Sequence, residues 1–134
     1  MADEAVVIEL IEGGRPIRYT CADGNAIPKG TLLEIDSDRT VVIHSGVDTA
    51  IAGIAAHEKV ASDGSTTISV YTDGIFDMTA AAAGVTALGA RCAGSGTANM
   101  ITVADGDDLL QSSDIGMCLE AHGNDEVAAV KINK

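Results

Sequence analysis

The sequence has no tryptophan, two tyrosines and one phenylalanine, so aromatic rings cannot fill a core. Valine, isoleucine, leucine, alanine and methionine must do so, within a hydrophobic share of 46%. Proline occurs only twice, at Pro16 and Pro28, against 15 glycines. Beside so much Val and Ile, those glycines indicate tight turns between short strands, not disorder. No apolar run nears the roughly 18 residues that span a bilayer; Val6-Val7-Ile8 is already broken by Glu9. The opening Met1-Ala2-Asp3-Glu4 lacks the basic start of a signal peptide, so synthesis in the cytoplasm is expected. Cys21, Cys92 and Cys118 are odd in number and form no CxxC pair, which excludes a disulfide framework and leaves small buried hydrophobes.

Basic residues are also scarce. Eight Lys and Arg face 20 Asp and Glu, for a net charge of −12. Such a surface repels phosphate backbones and anionic lipid, so neither nucleic acid nor membrane is an expected partner. It suits a basic partner or a salty medium.

Catalytic patterns are missing. His44, His57 and His122 stand in no nucleophile context, and there is no GxSxG. His57 and His122 each follow an apolar strand and precede a turn, and both are expected to face solvent. Gly94-Ser95-Gly96-Thr97 has no Lys-Ser/Thr after it and reads as a hairpin turn rather than a phosphate loop. Asp105, Asp107 and Asp108, with Asp114 nearby, are the best candidates for Ca²⁺, which takes oxygen ligands. Their spacing is not that of an EF-hand, so they are a weak metal candidate. No cofactor, no catalytic residue and no enzyme activity are expected.

What is present is strand signal, in a chain of 134 residues that suits one domain. Ile17, Tyr19 and Cys21 alternate with polar residues, as do Leu33 and Ile35, and Thr66–Thr72 reads TTISVYT. Asp63-Gly64 and Asp73-Gly74 are strong turn signals. Further strands are expected at 89–92, 99–103, 115–121 and 127–132. Only 79–85 and 107–112 suit a helical turn or two. The fold expected is all-β, a barrel or sandwich with at least about eight strands and under about 15% helix. Ile17, Tyr19, Leu33, Ile35, Ile54, Ile68, Val70, Ile101, Leu119 and Val130 are expected to face inward.

An internal echo divides the chain. Ile27–Leu33 matches Val85–Ala90 at an offset of about 58 residues, and Ile51–His57 matches Ile115–His122 at about 63. Two pseudo-repeated β modules, 15–74 and 75–134, would explain it.

Residues 1–14 differ in texture. Val6, Val7, Ile8, Leu10 and Ile11 are apolar, and Gly13-Gly14 then frees the backbone. The segment reads either as a first strand on its own body or as a partner-binding arm that adds to a neighbour's sheet edge.

From Ile17 onward the chain resembles the small capsid decoration, or head cement, proteins of tailed phages, related viruses and prophages. The matching stretches are Ile27–Leu33, Gly53-Ile54-Ala55, Val70–Phe76, Val85–Ala90, Ile115-Gly116, Leu119–Ala121 and the closing strand Val127–Ile132. The resemblance as a whole covers about 118 of 134 residues, and Cys118 departs from the small or aliphatic residue usual there. The resemblance implies a compact β-barrel-like domain, usually a homotrimer, bound to the major capsid protein on the outer face of a virion, with no catalysis. The competing reading is a non-catalytic β-scaffold binding module for a sugar or host-surface ligand, with Tyr19, Tyr71 or Phe76 as its platform.

Overall fold

Eleven strands and one short α-helix run through the described residues, 3–81 and 88–134, of the computed structural model. The molecule is almost all β, with 47% strand and 7% helix. In chain order the strands are β1 (Val6–Glu9), β2 (Ile17–Thr20), β3 (Leu32–Ser37), β4 (Thr40–Ile43), β5 (Ile51–Ala55), β6 (Thr67–Tyr71), β7 (Asp73–Ala80), β8 (Arg91–Gly94), β9 (Met100–Val103), β10 (Asp114–Cys118) and β11 (Val127–Asn133). The helix α1 (Gly106–Gln111) lies between β9 and β10. Part of the expected strand start at 85–90, and of the helical candidate 79–85, falls outside the described residues.

Two closed five-stranded barrels result. Barrel one runs β2-β4-β3-β5-β6, and barrel two runs β7-β9-β8-β10-β11. The connection order is the same in both, and each contains one short parallel contact, Thr20 opposite Thr40 and Thr79 opposite Met100. The correspondence extends to single hydrogen bonds. Gly30 N–H donates to Ala55 O as Gly89 does to Cys118 O, and Ala56 donates to Ser69 O as Leu119 does to Ala129 O. The sequence echo is therefore a repeat in backbone geometry.

Each barrel has its own filling. Cys21, Ile27, Leu33, Val41, Ala52, Ala55, Ile68 and Val70 pack inside barrel one. Phe76, Met78, Cys92, Ile101, Ile115, Cys118, Val130 and Ile132 form the second cluster, which Leu32, Ile51 and Ile54 of barrel one join. Those three isoleucine and leucine side chains tie the barrels together, at roughly 1.5–3 kcal/mol for each one fully buried.

Three residues expected inside are exposed: Ile17, Ile35 and Leu119. Ile17 starts β2 and Ile35 lies toward the end of β3, so both sit at one mouth of barrel one. A register shift between Leu33 and Glu34 also puts Leu32, Leu33 and Glu34 under cover in succession, breaking the alternation on which Ile35 was placed. Leu119 lies one residue beyond β10. Tyr19 is half-buried, while Leu33, Ile54, Ile68, Val70, Ile101 and Val130 are fully inside.

Candidate partner-binding surface

The five apolar residues of the N-terminal segment are brought together as a strap across both barrels. Ala5 N–H donates to Gly30 O of barrel one at 2.8 Å. Val6, Val7 and Glu9 then pair antiparallel with Asp77, Phe76 and Ile75 of β7 in barrel two. Gly30 has φ +87°, and a Cβ there would strike the Ala5 carbonyl, so this crossing requires glycine. At the other end a 3-10 turn (Glu12–Gly14) lays Gly14 on the Tyr71 ring, where a Cβ would come within 2.5 Å of the ring edge. Val7 and Leu10 are half-buried against the second core cluster. Val6, Ile8 and Ile11 point outward, 61%, 50% and 42% exposed. Here the segment is thus a first strand on its own chain, with an outer face that remains apolar.

The repeat shows why a strap is needed on one barrel only. Strand β7 is long enough to hold β9 at its far end and β1 at its near end. The same edge of barrel one, on β2, meets β4 at Thr20 alone. Pro16 offers that edge no N–H, and the Arg39 guanidinium donates to Arg18 O at 3.3 Å. One edge is covered by β1 and the other is blunted. Phe76 under the strap is fully buried, while its counterpart Ile17 is exposed.

The acidic candidates fold into the start of α1. Asp105 is the N-cap, and its Oδ1 accepts from the N–H groups of Asp107 and Asp108 at 3.0 and 3.1 Å. Asp108 closes a capping box by accepting from Asp105 N at 2.8 Å, and its Oδ1 accepts from Ser113 Oγ at 2.7 Å. Two of the three carboxylates are therefore committed to the helix end. Among the described residues no group of three or more His, Cys, Asp or Glu is placed to hold a metal ion.

The histidines behave differently from one another. His57 is exposed, and its Nε2 accepts from Ser69 N at 3.2 Å. His122 is buried, not solvent-facing as the sequence suggested, with Nδ1 3.1 Å from Glu120 O. In the backbone repeat it corresponds to Lys59 rather than to His57. Lys59 is buried too, its ammonium donating to Asp23 O, Val60 O and Asp63 Oδ1. No sequence signal marks Lys59 beyond Asp63 four residues on.

His44 was also invisible as a structural centre. It is fully buried between the barrels, with Nδ1 2.9 Å from Glu34 Oε2 and Nε2 accepting from Gly96 N at 3.0 Å. Since Nε2 accepts, the proton sits on Nδ1 and is donated to Glu34. The same Glu34 oxygen takes bonds from Ser45 N, Gly46 N and Thr49 Oγ1. Burial would raise the Glu34 carboxyl, but the bonds from Thr49, Gly46, Ser45 and His44 outweigh it and hold the group below the usual glutamate range. Burial pushes the His44 imidazole down, against the opposing pull of Glu34.

All three cysteines are buried thiols. Burial raises each thiol, Cys92 to about 12, so none is a ready thiolate. The aromatics are used internally: Phe76 is enclosed and Tyr71 packs on it at 5.8 Å between centroids. No helix among the described residues is long and apolar enough to cross a membrane.

A family model described as phage cement protein matches residues 11–133, which takes in every strand but β1. No curated protein matches the chain.

Proposed function

The chain belongs to the phage cement protein family, and on that premise we propose that it binds the major capsid protein at capsomer junctions and stabilises the outer face of the virion as a homotrimer. The family match over nearly the whole length carries this reading. Two closed barrels locked by Leu32, Ile51, Ile54 and His44 make a stiff block, which suits a clamp between shell subunits. A net charge of −12 would give the head a hydrated, anionic exterior. In a trimer the acids must then face away from the axis, because like charges at close range repel.

The contact we assign to the strap is the outward row Val6, Ile8 and Ile11, together with the unpaired edge of β1, which stands last in its six-stranded order. Val7 and Leu10 hold the row in place from beneath. Strand addition along such an edge supplies backbone hydrogen bonds as well as apolar contact. The protein acts here without catalysis and without a cofactor. A sugar-binding role finds little support, since Phe76 is enclosed, Tyr71 lies under Gly14 and Tyr19 is half-buried.

Co-sedimentation with empty expanded heads tests the proposal, with mass photometry for the oligomer. Saturable binding and a trimer in solution are expected. Failure to co-sediment at micromolar protein would overturn the capsid reading, and a monomer at that concentration would overturn the trimer.

A further inference from the structure

Helix α1 is built inside out. Its one buried residue is Asp108, while Leu109 and Leu110 face solvent at 55% and 86% exposure. Beside it stands the β4–β5 loop, whose Val47 is 68% exposed. The two meet at Asp48, whose carboxyl is close enough to Asp108, Asp105 and Asp107 to feel their charge, and the loop is seated on the β8–β9 turn, where a Cβ on Gly96 would lie 2.8 Å from Val47 Cγ2. Leu109 and Leu110 on the helix and Val47 on the loop are thus exposed on two adjoining segments, an apex that also carries exposed Asp48, Asp105 and Asp107. Among the described residues the leucines lie in neither core cluster.

We propose that this apex docks an apolar segment carrying lysine or arginine on the shell protein, a contact separate from the strap. The inference rests on the capsid reading. Exposed leucines on a helix that buries its acid mark a surface awaiting a partner. The charge around them selects that partner. The Asp48 carboxyl is held above the usual aspartate range by desolvation and then by Asp108, Asp105 and Asp107, so these acids already crowd one another. A second copy of the chain would bring the same acids face to face, and nucleic acid would add phosphates. A cation among apolar side chains relieves the crowding and covers the leucines together.

Carbodiimide cross-linking on decorated heads tests this directly, because it joins a carboxylate to an amine with no spacer. Amide links from Asp48 or Asp107 to shell-protein lysines are expected by mass spectrometry. Two variants complement it, the pair Leu109→Ser with Leu110→Ser and the pair Asp48→Asn with Asp107→Asn, each checked for a wild-type melting curve. The first should weaken head binding by about tenfold, as for loss of an anchoring side chain. The second should flatten the fall of affinity with salt. Both pairs bind heads within about twofold of wild type, with no cross-link from the apex, if the inference is wrong. Loss of binding by the wild type itself would instead sink the capsid reading beneath it.

Discussion

Gly53 in β5 and Gly116 in β10 occupy the same place in the two barrels: Gly53 stands opposite Leu33 and Gly116 opposite Cys92, the matching positions of β3 and β8. At each, a Cβ would fall on the carbonyl oxygen of the neighbouring strand, Tyr71 in one case and Lys131 in the other. The first glycine also holds φ +146°. The repeat thus preserves a close approach of backbones where no side chain fits. Alanine at either position should cost at least about 2 kcal/mol, the range for forcing atoms into a packed interior. Gly24→Ala is the control, since nothing lies within 4 Å of that position. Urea melts that leave Gly53→Ala and Gly116→Ala as stable as Gly24→Ala would contradict this.

Acid should loosen the joint between the barrels through His44. Its folded pKa is depressed below the ordinary value near 6.5, so the unfolded chain takes up a proton first as pH falls. Stability from the neutral form is complete above about 6.5 and is lost as pH drops through the lower folded value. Glu34, depressed below 4.5, acts with the same sign at lower pH. A proton on Nε2 would also meet the Gly96 N–H head on. Melting temperature should therefore fall from pH 7 to pH 5. His44→Gln should flatten that fall while lowering stability throughout, and an unchanged slope would show that another group is responsible.

The cap on α1 gives a third test. Asp105→Ala removes the oxygen that holds Asp107 N and Asp108 N, at a cost of about 1 kcal/mol. Millimolar Ca²⁺ should leave the wild-type melting temperature unchanged, because Asp105 and Asp108 already serve the helix end. A rise of several degrees on adding Ca²⁺ would return these residues to the list of ligands.

Much of the fold was legible because the signals were local. Alternation placed β6, Asp-Gly placed the turn before it, and the glycine strands at 53 and 116 carried the repeat. What escaped depended on partners far away in sequence. Ile17 and Ile35 alternate like core residues, and only the open mouth of barrel one makes them surface. Lys59 and His122 look like surface residues, and only Asp23 O and the close of barrel two bury them. His44 had no pattern at all, since its two partners lie 10 and 52 residues away. Residues 1–14 were legible as apolar and hinged, but not as the cover for β7, because that edge exists only once barrel two closes.

The strap separates two roles that one deletion would confuse. Its inner residues Ala5, Val7 and Leu10 pack on the second core cluster, so removing residues 2–12 should lower stability by about 3 kcal/mol and uncover Phe76. A loss of head binding by that truncated protein would then follow from either damage. The outer residues avoid the ambiguity. Val6 and Ile8 are exposed by half or more, so Val6→Ser with Ile8→Ser should stay within about 0.5 kcal/mol of wild type. If the outer row is the contact, that pair keeps its melting curve and loses co-sedimentation with heads. Val7→Ser should do the reverse, losing stability while binding in proportion to the folded fraction. Should the deletion instead leave the melting temperature intact and abolish trimerisation, the segment pairs with a neighbour in solution, and Gly13-Gly14, both at positive φ, is the hinge that lets it cross.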